Sequence, residues 1–160
     1  MYHSGVIQKN VVSGEVKRIA LITLCMAAAS FIRIPLPFTP VPLTLHTFIL
    51  FMSLRILRKK ALYAYVSYVL LGIFGAPVFS TTASGIAYLA GPVGGYVFGF
   101  LTVAAFFPSF YPTRDTAFGR IVYFSAANLC IYACGVAWMS LVHHVALTQA
   151  VLVGVIPFLA

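Results

Sequence analysis

Few residues in this chain could carry out chemistry, and their types and spacing exclude most of it. The only acids among 160 residues are Glu15 and Asp115, so no pair of carboxylates is available for general acid–base work. No intramembrane Asp, Glu or His pair exists to abstract a proton or hydrolyse a bond inside a bilayer. His143 and His144 are adjacent in sequence, point to different helix faces and make a poor metal pair. Cys130 and Cys134 share a helix face, but with Cys25 they form an odd set of three inside apolar stretches. Small apolar packing is the expected role, and a disulfide framework is not. There is no Gly-x-x-x-x-Gly-Lys-Ser/Thr loop to cradle a nucleotide. An enzyme is not expected, and no metal or cofactor is implied.

The elements that must carry the remaining polar residues follow from composition. The chain is 62% hydrophobic and 8% charged, where a soluble domain carries roughly a quarter charged residues. So few polar groups cannot cover a surface, and lipid is the expected solvent. The formal charge of +8 is explained by where the charges fall, not by a nucleic-acid partner. The first eighteen residues contain Lys9, Glu15, Lys17 and Arg18 without a continuous apolar core. No cleavable signal peptide is expected, and the first span is itself the insertion signal.

Six apolar spans are separated by charges or by Gly/Pro joints. They cover about 19–34, 43–57, 61–74, 94–110, 121–142 and 145–160. Residues 1–18 form a cytoplasmic segment, and 19–160 form one transmembrane substrate-binding domain. Several spans fall short of the roughly 20 residues that cross about 30 Å of hydrocarbon, so tilting, local thinning or extension into the flanks is expected. With both termini cytoplasmic, nine of the ten basic residues fall on one side and Arg33 is the exception. That is the positive-inside pattern, and a miscounted span would scatter it. The expected fold is an all-α, compact six-helix bundle, multi-pass in the cytoplasmic membrane, its sixth helix incomplete at Ala160.

Two extracytoplasmic connections, 35–42 and 75–95, are rich in Pro, Gly, Ser, Thr and aromatics and hold no acid. They are either turns or a cover over a small, partly apolar ligand; the length of the second favours the cover. Arg33, beside that candidate cavity, either pairs with a ligand carboxylate or snorkels to headgroups. Asn128 lies deep in the fifth span and needs a partner, by default across helices, alternatively on the ligand. Ala20, Thr23, Ala27, Ala28 and Ala29 give the first span small residues at three- and four-residue spacing. These allow close approach within the bundle or to a partner subunit.

The stretch from Ile34 to Thr47, IPLPFTPVPLTLHT, resembles the first-loop signature of the BioY family, the biotin-specific S components of energy-coupling factor transporters. Leu70 to Phe79 (LLGIFGAPVF), leading through Gly85 and Tyr88 to Gly91–Phe100 (GPVGGYVFGF), resembles the second. Asn128–Tyr132, Gly135–Trp138 and Gly154–Phe158 follow in the matching order. The resemblance implies a high-affinity biotin uptake subunit with six helices, binding at the outer face under loops 35–42 and 75–95. It implies a membrane-embedded T component and ABC-type ATPases as partners. The expected substrate-binding residues are Arg33, Phe38, Thr44, His46, Phe79, Tyr88, Gly91, Pro92, Gly94, Tyr96 and Asn128. The expected partner-facing residues are Ala20, Thr23 and Ala27, although Ala20-x-x-x-Leu24 matches the family's Ala-x-x-x-Ala face only in part. His46 stands where the family usually has Gln. The family pattern continues past Pro157-Phe158 with Gly-Asp-x-x-Lys, thought to hold biotin's polar ends, and Arg33 is the candidate to replace that lysine. The rival readings are an S component for another vitamin and a truncated, non-transporting membrane remnant or scaffold.

Overall fold

The computed structural model of the protein describes residues 3–34, 39, 41–80, 83–112 and 116–158. Its helices are α1 (His3–Ala29), α2 (His46–Leu57), α3 (Ala61–Ile73), α4 (Ile86–Ala90), α5 (Gly94–Phe106), α6 (Ala117–Leu141) and α7 (Leu147–Gly154). Short 3-10 turns continue the chain at Arg58–Lys60, Phe107–Phe110 and Ile156–Phe158. Between α1 and α2, strand β1 (Arg33–Ile34) pairs antiparallel with β2 (Leu43–Thr44), Arg33 opposite Thr44. All helices except α4 fall within or overlap the expected spans. α4 sits inside the connection 75–95, which is therefore built and not a bare loop.

Local sequence explains the boundaries. Gly75 adopts φ 99°, a left-handed conformation that suits glycine. There Ala76 N–H donates to Leu71 O at 3.0 Å and Gly75 N–H to Gly72 O at 3.2 Å, the Schellman pattern that satisfies the last carbonyls of α3. Pro77 follows and bars continuation. α6 starts at Thr116, whose hydroxyl accepts from Gly119 N–H at 3.1 Å, as an N-cap should.

α1 packs on α2 and α3, α5 on α3 and α6, and α7 on α6. Met26, Leu50, Leu54, Tyr65, Ile131 and Met139 fill the centre. The outside is also apolar: Leu24, Phe106, Phe118, Leu129 and Leu141 are exposed. One helix among the described residues, Ala117–Leu141, is long and apolar enough to cross a membrane, and only 28% of its apolar window is buried. α5 and α6 meet along a glycine seam. A Cβ at Gly99 would lie 3.0 Å from Ile131 Cα, and one at Gly95 2.8 Å from Cys134 O. Side chains there would force the two helices apart.

One end of the bundle gathers charge. Lys60 pairs with Glu15, and the guanidinium carbons of Arg55 and Arg58 lie 5.8 and 5.2 Å from the Tyr111 ring centroid. Arg114 and Asp115 lie outside the described residues.

The small-residue face of α1 is corrected by the packing. Thr23 does not face outward: it is buried, and its hydroxyl lies 3.0 Å from Ile19 O and 3.1 Å from Ala64 O of α3. A hydroxyl on an apolar helix turns toward carbonyls it can donate to. Ala27 is half-buried and packs against the core. Of the three expected partner-facing residues only Ala20 is exposed, in line with exposed Leu24 and Ala28.

Candidate binding cavity

At the opposite end from Glu15 and Lys60, a cavity of about 290 Å³ opens between α2, α3, α5 and α6, bordered by residues 41–48 and by Ser80 and Tyr88 of the 75–95 connection. Its walls are mainly apolar and aromatic: Val41, Phe48, Val97, Phe100, Ile131 and Phe158. Its polar groups are neutral ones, from Thr44, His46, Tyr68, Tyr88, Tyr96 and Asn128. No charged side chain lines it among the described residues.

Several of these polar groups are held by identifiable partners. Tyr96 O–H donates to Gly154 O at 2.7 Å, and its ring lies against Gly135, where a Cβ would collide with it. The glycine seam thus fixes this tyrosine at the cavity edge. Tyr88, on α4, stacks on Phe79 with ring centroids 4.9 Å apart and planes 11° apart. Burial pushes the Tyr88 phenol up to about 12, with Ser80 beside it opposing the shift, so it faces the cavity as a neutral hydroxyl. His46 Nε2 lies 2.9 Å from the Tyr68 hydroxyl, which also lies 3.0 Å from Val78 O. Asn128 Nδ2 donates to Tyr132 OH at 3.2 Å. That partner is one turn along the same helix, so the expected default of an interhelical bond is corrected.

Of the expected binding residues, Thr44, His46, Tyr88, Tyr96 and Asn128 come together around this cavity. Phe79 is fully buried behind Tyr88 and supports the wall without forming it. Gly91, Pro92 and Gly94 shape the turn into α5. Gly91 O accepts from Trp138 Nε1 at 3.0 Å, and Gly94 packs so closely on the Leu89 carbonyl that no side chain fits. Arg33 is exposed on β1 and is not a lining residue. Phe38 lies outside the described residues. Sequence reasoning missed Tyr65, Tyr68, Ser80 and Tyr132. The signal for the first two was present, since phenols three apart on an apolar helix need buried partners.

The class of protein follows from the fold. The chain aligns with the crystal structure of the S component for biotin from an ECF-type ABC transporter with a TM-score of 0.85. The alignment covers 93% of this chain and 84% of that one at 23% identity, so the chain has the fold of an S component. The particular family follows from the sequence. The BioY family profile matches residues 7–160. The chain is 37% identical over 140 residues to the biotin transporter BioY of Thermotoga maritima, covering 86% of this chain and 80% of that protein. It is 32% identical over 149 residues to the probable biotin transporter BioY of Pyrococcus horikoshii, covering 91% and 86%. The chain belongs to the BioY family, and these relatives are named as transporters, not enzymes.

Proposed function

We propose that this chain is the biotin-capturing S component of an ECF-type uptake transporter, and that biotin occupies the cavity described above. The observation that carries the reading is the cavity's composition, in a chain whose relatives are named for biotin transport. At about 290 Å³ it lies at the small end of the ~300–1,000 Å³ range of small-ligand sites. Its apolar walls bury a ring system and an alkyl chain, and a few fixed neutral groups orient them. A buried carboxylate would need a charged or strongly donating partner. The neutral lining therefore leaves the ligand's carboxylate at the water-facing mouth.

Six crossings with a cytoplasmic amino terminus account for the placement of charge. Glu15, Lys60, Arg55 and Arg58, all assigned to the cytoplasmic side, meet at one end, and the cavity opens at the other. The exposed apolar sides of α1, α5 and α6 then face lipid or a partner. Ala20, Leu24 and Ala28 form an exposed line at four-residue spacing suited to close docking of a membrane-embedded T component, with ABC-type ATPases supplying the energy.

Equilibrium binding of labelled biotin to the detergent-purified chain, with thiamine and riboflavin as competitors, tests the reading. Saturable binding displaced by biotin alone is the expected result. Displacement by another vitamin would reassign the ligand, and no binding would favour a non-transporting scaffold.

A further inference from the structure

The hydrogen bonds around His46 fix which of its nitrogens carries the proton. Tyr68 has one hydroxyl proton and two neighbours: Val78 O at 3.0 Å and His46 Nε2 at 2.9 Å. A carbonyl can only accept, so the phenol donates to Val78 and its oxygen accepts from His46. The imidazole proton is therefore on Nε2, and in the neutral ring Nδ1 carries the lone pair. No carboxylate among the described residues lines the cavity to stabilise the charged ring, so the neutral form is the one the site supports.

Nδ1 makes no hydrogen bond among the described residues. The ring that carries it lines the cavity. A second group points the same way. Ser80, 7% exposed, lines the same cavity with a buried Oγ that has no partner in good geometry.

We propose that Val78 and Tyr68 lock His46 as a hydrogen-bond acceptor, so that His46 is a specificity-determining residue that takes an N–H of the ligand's cyclic urea. This rests on the biotin reading, since the ureido ring holds that ligand's only N–H donors. A ligand offering an oxygen at this position meets two lone pairs face to face, and the lock prevents the histidine from reversing its role.

The test uses the full chain in detergent, biotin, and the two isosteric biotin analogues in which one ring N–H or the other is replaced by oxygen. Nitrogen NMR on histidine-labelled protein, assigned by loss of signal in His46→Gln, should show His46 wholly as the Nε2–H tautomer. One analogue should bind the wild type about tenfold more weakly than biotin or worse, the scale of a lost and opposed hydrogen bond. In His46→Leu that analogue-to-biotin ratio should shrink to within about threefold. His46→Gln, which can rotate its amide oxygen into the same place, should restore the analogue-to-biotin ratio that His46→Leu loses, and a ratio as small as that of His46→Leu overturns the inference. An Nδ1–H tautomer, or an undiminished ratio in His46→Leu, overturns the inference. Failure of wild type to bind biotin at all overturns the uptake reading itself, which keeps the two failures distinct.

Discussion

The two sides of the cavity are built by different physics. On the α5–α6 side, position is set by exclusion. Gly95, Gly99 and Gly135 let backbones and rings approach so closely that Tyr96 has one place to be. On the α2–α3 side, position is set by hydrogen bonds, with His46, Tyr68 and the Val78 carbonyl each defining the next. The first side resists change mainly through packing, and its polar groups, Tyr96 and Asn128, are already engaged with Gly154 O and Tyr132. The second holds its groups by a few bonds and presents unused capacity, at Nδ1 of His46 and Oγ of Ser80, to whatever enters. A wall set by packing beside one set by hydrogen bonds is a sensible division for a binding protein: the first chiefly supplies shape, the second chiefly supplies chemical selectivity.

Substitutions should separate the two sides by what they damage. Gly95→Ala should have the largest effect, since its Cβ meets Trp138 and the Cys134 backbone; overpacking of this kind costs about 3 kcal/mol. Thermal unfolding in detergent should show a lowered midpoint, and an unchanged midpoint would mean that the seam is not tight. Tyr68→Phe comes next. It strips Val78 O and His46 of a shared partner, a loss of roughly 1–3 kcal/mol, and biotin affinity should fall more than the unfolding midpoint does. Equal losses in both would make the polar side merely structural.

Smaller effects are expected where water competes. Arg33→Ala should change biotin affinity by less than about fivefold, because an exposed guanidinium contributes at most about 1 kcal/mol. A larger loss, seen by titration, would restore Arg33 as the carboxylate partner. Glu15→Gln should be smallest of all. Its pair with Lys60 is over 40% exposed on both sides, so unfolding should shift by no more than a few tenths of a kcal/mol.

The difference between the sides also governs what could be read from the sequence. Apolar runs and charge placed α2, α3, α5 and α6 within a few residues, because span ends are marked by Arg58-Lys59-Lys60, Gly75 and Pro77. By contrast, α1 begins at His3, well before the apolar run that marked the first span. The Gly-Pro-x-Gly-Gly-Tyr block was legible as a unit, yet its glycines proved to be packing devices, and it is Val93 and Tyr96 that reach the cavity. The polar side was harder to foresee. Tyr68 matters because α3 brings it to His46, twenty-two residues earlier in the chain, and no local pattern encodes that meeting. Thr23 failed for a related reason: small-residue spacing marks a face for close packing but not which neighbour it packs on. α4 was hidden because five residues, Ile86–Ala90, are too few for a periodic signal.

The most direct test of the central claim is a crystal structure of the chain grown with biotin. The ligand should lie between His46, Tyr88, Tyr96 and Asn128, its ureido ring toward His46 Nδ1 and its carboxylate at the mouth. Biotin bound elsewhere on the protein, with this cavity filled only by solvent, would contradict the account.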